Sequence, residues 1–159
     1  MNIKFITVGK LKEKYWTAAV EEYIKRLNRY CKISCVEVKD EKIPEKYSDA
    51  ERRKAVEIEG DRILKNCDEN ALIVTLEING VSFTSEAFAE QIKKWTLDSP
   101  QTLIFIIGGS LGLSSQVLAR SDFHLSFSAM TFPHQLFRVM LLEQIYRAFK
   151  INNHEPYHK

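Results

Sequence analysis

The chain has 159 residues, 45% of them hydrophobic, which suffices for one domain with a real core and is too little for two. Lysine and arginine total 23 against 21 acidic residues, and a net charge of +2 gives no electrostatic argument for a nucleic-acid partner. No apolar run reaches the length of a membrane span, and the opening MNIKFI alternates like a strand rather than a signal peptide. The expectation is a cytoplasmic, unprocessed protein, residues 1–159 in one domain, with no membrane partner.

Residues 2–8 read as a strand and Gly9 as its exit. A helix over 15–30 follows, with Trp16, Ala19, Val20, Tyr23, Ile24 and Leu27 at helical spacing. Lys10, Lys12 and Lys14 crowd the loop between them, either as a phosphate contact or as solvated surface. Residues 33–38 alternate as a second strand, and the charged segment 39–47 reads as a surface loop. Ser48, three residues before Glu51, is the start of a capping box, and a helix from 49 to about 66 follows it. Arg52, Arg53 and Lys54 sit on its first turn, where the helix dipole disfavours cations, so they face an anion or are plain surface.

Residues 71–76 are almost continuously apolar, as a strand buried on both faces would be, and Glu77-Ile78-Asn79-Gly80 reads as the turn that ends it. Thr84 or Ser85 caps a helix carrying Ala87, Phe88, Ile92 and Trp95, and Pro100 marks the loop before a strand at 102–107. Strands and helices thus alternate along the chain. The fold class is α/β, a mainly parallel sheet with helices on both faces.

Three stretches can carry chemistry. Gly108-Gly109-Ser110-Leu111-Gly112 leaves a buried strand and leads to a helix capped by Ser114. Glycines there let backbone amides approach a ligand, although the run is not a dinucleotide fingerprint and a tight turn without a ligand explains it equally well. A strand at 125–128 exits through Phe127, Ser128, Ala129, Met130, Thr131, Phe132 and Pro133, a mixture of hydroxyls and apolar groups suited to a ligand that is part base and part sugar. His134 then opens the last helix, 134–150, where the dipole lowers a histidine pKa and favours a neutral imidazole. Glu143, Arg147 and Lys150 form one narrow stripe on that helix, and most of the remaining circumference is apolar. That exceeds what covering one sheet needs, so the same helix of a second copy is the simplest cover. The closing residues, with Tyr157, His154, His158 and Lys159, read by composition as a loose tail. Cys31, Cys35 and Cys67 show no metal-ligand spacing, so no metal is expected.

The runs IGGSLGL, LSFSAMTFPHQLFRVMLLEQIYRAF and EPYHK, with VGKLKEKYW, DEKIPE and EGDRIL before them, resemble the RlmH family of ribosomal large-subunit pseudouridine N3-methyltransferases in the SPOUT superfamily, over the whole chain. The resemblance implies a C-terminal trefoil knot and a homodimer through the last helix. It also implies S-adenosylmethionine among the knot loops, here Leu76, Gly108, Gly109 and Phe127 to Pro133. The implied reaction is methylation of N3 of a pseudouridine in 23S rRNA on the assembled ribosome. By the same resemblance His134, Arg147, Tyr157 and His158 are the catalytic candidates, with either histidine near the proton. Asn153-His154 stands where relatives commonly carry Arg-Gly, so no arginine contact to RNA is expected there. Alternatives are a methyltransferase of the same superfamily acting on transfer RNA, a non-catalytic ribosome-binding α/β module, and a flavodoxin-like nucleotide-binding domain.

Overall fold

The computed structural model describes residues 1–97 and 102–159. The expected loop marker Pro100 lies outside them. The elements are β1 (Asn2–Val8), α1 (Lys14–Leu27), β2 (Lys32–Val38), α2 (Asp49–Leu64), β3 (Leu72–Ser82), α3 (Ser85–Leu97), β4 (Thr102–Ile107), α4 (Ser115–Arg120), β5 (Phe123–Ser126) and α5 (His134–Asn152). The sheet order is β2-β1-β4-β3-β5, with every pair parallel, so all strands end on the same edge.

Period-two alternation sends side chains to two cores. Ile3, Phe5, Leu103 and Phe105 pack with α1, α3 and α5 on one face. Ile6, Val8, Ile104 and Ile106 pack with Ile63 of α2 and Val117 of α4 on the other. The caps act as the sequence predicts. Ser48 Oγ accepts the Glu51 amide at 3.2 Å while the Glu51 carboxylate accepts the Ser48 amide at 2.8 Å, and Ser114 Oγ accepts the Val117 amide at 3.3 Å. Ser48→Ala is expected to cost about 1 kcal/mol in urea unfolding, the usual worth of an N-cap hydroxyl.

Several boundaries differ from the sequence reading, with β2 starting at Lys32 and α5 running on to Asn152 among the small ones. α1 ends at Leu27, where the Arg29 and Tyr30 amides donate to the Arg26 and Leu27 carbonyls three residues back, at 3.5 and 2.8 Å, and tighten the last turn. α2 likewise stops at Leu64 rather than near 66. The segment 77–80 is not a terminal turn. β3 continues to Ser82 through a bulge, with its pairing to β5 shifted between Leu76 and Val81. Gly80 permits this, because a Cβ there would lie 2.6 Å from the His124 carbonyl oxygen of β5. β5 itself starts and ends two residues earlier than the expected 125–128, and its pairing to β3 decides where it lies.

The last helix is covered more fully by its own chain than its apolar circumference suggests. α1 and α3 flank α5, and Leu141, Leu142, Ile145 and Ala148 are buried between them and the sheet. Tyr146 and Phe149 pack against Tyr30, with ring centroids at 6.1 and 5.4 Å. Leu136, Phe137, Val139 and Met140 remain only partly covered. No helix among the described residues is long and apolar enough to cross a membrane, and no cluster of metal-ligating side chains occurs among them.

Candidate functional site

Because the strands are parallel, the β3 bulge and the exits of β4 and β5 converge with the start of α5, and a cleft of about 720 Å³ opens there. Leu76, Gly108, Gly109, Phe127, Ser128, Met130, Thr131, Phe132, Pro133 and His134 line it, and Ala129 of the same loop does not. The loop is held by its own hydroxyls. Ser128 Oγ accepts the Met130 amide at 3.0 Å, and Ser126 Oγ donates to the Ile78 carbonyl at 2.9 Å, tying the β5 exit to the β3 bulge. Phe127 stacks on Phe137 at 5.2 Å, and Phe132 meets the same ring at 5.9 Å, so α5 supplies an aromatic wall. On the opposite side the guanidinium of Arg52 donates to the Leu111 carbonyl at 3.3 Å and reaches the cleft, which separates it from Arg53 and Lys54 of the same turn.

Two titratable groups line this cleft with shifted pKa values. Burial raises the Glu77 carboxyl, partly opposed by His124. His134 is lowered, as the sequence predicts, but burial of its ring and the neighbouring Arg138 cation are the causes, against a smaller opposing effect of Asp40. The imidazole is therefore held neutral near pH 7.

Arg147, Tyr157 and His158 are not in the cleft. They form a second cluster around Glu143, whose Oε1 accepts from Arg147 Nε at 3.1 Å and from the Tyr157 hydroxyl at 3.1 Å. Arg147 also lies 4.7 Å from the centre of the Tyr157 ring. His158 Nδ1 faces Arg147 Nη1 at 3.3 Å and its Nε2 faces the Glu86 carboxylate at 2.8 Å. A guanidinium only donates and a carboxylate only accepts, so the neutral ring carries its proton on Nε2 and turns the Nδ1 lone pair toward Arg147. The Glu86 carboxyl is held at about 2 by its own backbone amide and by His158. The Tyr157 hydroxyl is raised well above its usual value by burial, with Tyr23 and Glu143 adding to it.

The expected loose tail is thus anchored. Glu155 accepts from the Tyr30 hydroxyl at 2.7 Å and pairs with Lys150, while Tyr157 and His158 are bound as above. Composition cannot show this, because Tyr30 lies in the turn after α1 and Glu86 in α3. Glu143 is the central acceptor that the sequence reading left as a stripe residue. Its spacing of four from Arg147 was the available signal. Arg138, which falls within the apolar stretch and carries no signal of its own in the sequence, is buried and donates to the Val8 and Gly9 carbonyls and to Glu37. Thirteen helical steps, roughly 20 Å, separate His134 from Arg147, so one chain does not bring these two residues together.

Comparison with known proteins agrees with this architecture. A family model described as predicted SPOUT methyltransferase matches residues 1–158. Ribosomal RNA large subunit methyltransferase H of Clostridium tetani is 57% identical over 159 residues, covering 100% of both chains. Among solved structures, a methylase-family protein from Haemophilus influenzae superposes with TM-score 0.55 at 12% identity, over 99% of this chain and 70% of that one. A methyltransferase from Legionella pneumophila, solved with bound SAM, superposes with TM-score 0.51 at 10% identity, over 94% of this chain and 66% of that one. These two likenesses speak to the fold alone. With a matching family model over almost its whole length and a full-length relative at this identity, the chain belongs to the SPOUT methyltransferase family, among the relatives of ribosomal RNA large subunit methyltransferase H.

Proposed function

We propose that the protein is a cytoplasmic, S-adenosylmethionine-dependent methyltransferase acting on N3 of a pseudouridine in 23S rRNA of the assembled ribosome. In this reading residues 1–159 form one domain whose C-terminal part is threaded as a trefoil knot. The observation that carries it is the cleft at the β3 bulge and the exits of β4 and β5, in a chain that matches an rRNA methyltransferase over its full length.

The cleft suits the cofactor in size and chemistry. About 720 Å³ lies within the range of small-molecule sites. Leu76, Ile107, Phe127 and Phe137 offer apolar contact for an adenine ring, and Ser128, Thr131 and the backbone of Gly108 to Gly112 offer polar groups for a sugar and an amino-acid end. When bound, S-adenosylmethionine supplies an electrophilic methyl group. The chain's own task is to align the base with that methyl and to help N3 lose its proton. His134, neutral at the cleft wall, and His158, with a lone pair at Nδ1, are the proton acceptors in this reading. Tyr157 stacks against or hydrogen-bonds the base. Arg147 has Nε and Nη2 committed to Glu143, and its Nη1, which now faces His158, is the donor that turns to a uracil oxygen or a phosphate.

The two clusters meet if α5 packs against α5 of a second copy in the opposite sense, so that one protomer's tail approaches its partner's cleft. The partly covered Leu136, Val139 and Met140 support such a homodimer. Leu141 and Ile145 are fully buried inside the chain and would report on folding instead. Val139→Asp with Met140→Asp is therefore expected to give a folded monomer by sedimentation velocity, with methyl transfer lost. A dimer that persists would refute this interface.

The whole reading is tested by incubating the protein with ribosomes and labelled S-adenosylmethionine, then mapping the modified nucleotide. Label at N3 of a 23S pseudouridine is the expected result. Cofactor binding by calorimetry without any transfer to ribosomal RNA would instead favour a transfer-RNA substrate, and no cofactor binding at all a non-catalytic module.

A further inference from the structure

The lysine-rich loop between β1 and α1 is used neither by the cleft nor by the tail cluster. It leaves β1 on the edge where the cleft opens, since β1 runs parallel to β4. Gly9, at φ +81°, turns the chain there. The base of the loop is fixed from beneath. Arg138 donates to the Val8 carbonyl at 3.0 Å and the Gly9 carbonyl at 2.7 Å. Glu37, paired with Arg138 at 2.8 Å, accepts the Leu11 amide at 3.2 Å. Arg138 stands one helical turn beyond His134, so these bonds fasten the loop to the helix start that walls the cleft.

Above this base Lys10, Lys12 and Lys14 are exposed, and none of their ammonium groups pairs with a carboxylate among the described residues. Tyr15 is 65% exposed and rests on half-buried Trp16, with ring centroids 5.1 Å apart and planes at 55°. Unpaired cations beside a supported, exposed aromatic ring are what a protein uses to follow a phosphate backbone and stack a base. As a run of sequence, three loop lysines are ordinary surface. The rigid footing and the shared edge with the cleft are what distinguish them.

We propose that Lys10, Lys12, Lys14 and Tyr15 form an arm that contacts the RNA substrate beside the cleft, an inference that rests on the RNA-methyltransferase reading above. It also explains how a chain of net charge +2 engages a polyanion, by concentrating cations locally.

The test is equilibrium binding of the intact protein to purified ribosomes over a range of salt concentrations. The variant K10A/K12A/K14A is compared with wild type and with K32A/K65A/K93A, whose exposed lysines lie toward the opposite sheet edge. The arm variant is expected to bind roughly 10- to 100-fold more weakly, with a salt slope reduced by about 2. Y15A is expected to lose about tenfold at unchanged slope. Calorimetric affinity for S-adenosylmethionine should stay at the wild-type value in each, showing that the variants fold, and K10R/K12R/K14R should restore ribosome binding. Wild-type affinity and slope in the arm variant, or an equal loss in the opposite-edge control, would overturn the arm while leaving the methyltransferase reading intact. Failure of the wild-type protein itself to bind ribosomes would remove both.

Discussion

Truncation after Asn153 is expected to reduce methyl transfer to ribosomes by about 10² to 10⁴-fold, the range associated with losing a positioned proton acceptor and its neighbours. Affinity for S-adenosylmethionine should be nearly unchanged. The residues removed include Tyr157 and His158, whereas every residue lining the cleft is retained. The tail's anchors, Tyr30–Glu155, Lys150–Glu155 and His158–Glu86, lie at the edge of the structure, so their loss should lower the melting temperature only modestly. Label incorporation and calorimetry on the same preparation separate the outcomes. Full activity would show that the tail cluster takes no part in the chemistry, and lost cofactor binding would make it a strap for the fold. Tyr157→Phe refines the result, since it removes the hydroxyl that donates to Glu143 but keeps the ring. If stacking is the role of Tyr157, that variant retains most activity.

Arg138→Met is expected to destabilise the protein by about 3 kcal/mol or more in urea unfolding. The side chain is buried, and its loss leaves the Val8 and Gly9 carbonyls without the guanidinium and the Glu37 carboxylate with only the Leu11 amide and no cation. Methionine nearly fills the volume, so the cost reports lost hydrogen bonds and a carboxylate deprived of its cation more than a cavity. Lysine is not an adequate substitute, because a single ammonium does not reproduce the planar fork that reaches three acceptors from one position. Adding Glu37→Gln should recover part of the loss, since the remaining partner is then neutral. A cost below about 1 kcal/mol would mean that water satisfies these groups in the variant and that Arg138 is not what fastens β1 to α5.

Much of the fold was legible because its determinants are local. β1 and β4 match their predicted limits, since an apolar run or alternation ended by a glycine is a complete local signal. Ser48 and Ser114 were identifiable as caps because a cap needs only a hydroxyl and an amide three residues away. The β3 bulge was not legible. Glu77-Ile78-Asn79-Gly80 has turn composition, and its pairing to β5, with the Ser126 hydroxyl on the Ile78 carbonyl, keeps it in the sheet.

The candidate site divides in the same way. Sequence by itself determined which stretches carry the expected cofactor contacts, and nine of the ten share one cleft because the parallel sheet brings the β3 bulge and the ends of β4 and β5 to one edge. Tertiary structure alone decided three things. β4 is inserted between β1 and β3, Arg138 is buried beneath the β1 exit, and the tail is tied to Glu86 and Tyr30. The physical reason is common to all three. A strand, a cap or a glycine turn is specified by neighbours within a few residues, whereas the strand order, the buried guanidinium and the anchored tail depend on groups between 72 and 130 residues away in the chain, or on which strands lie side by side.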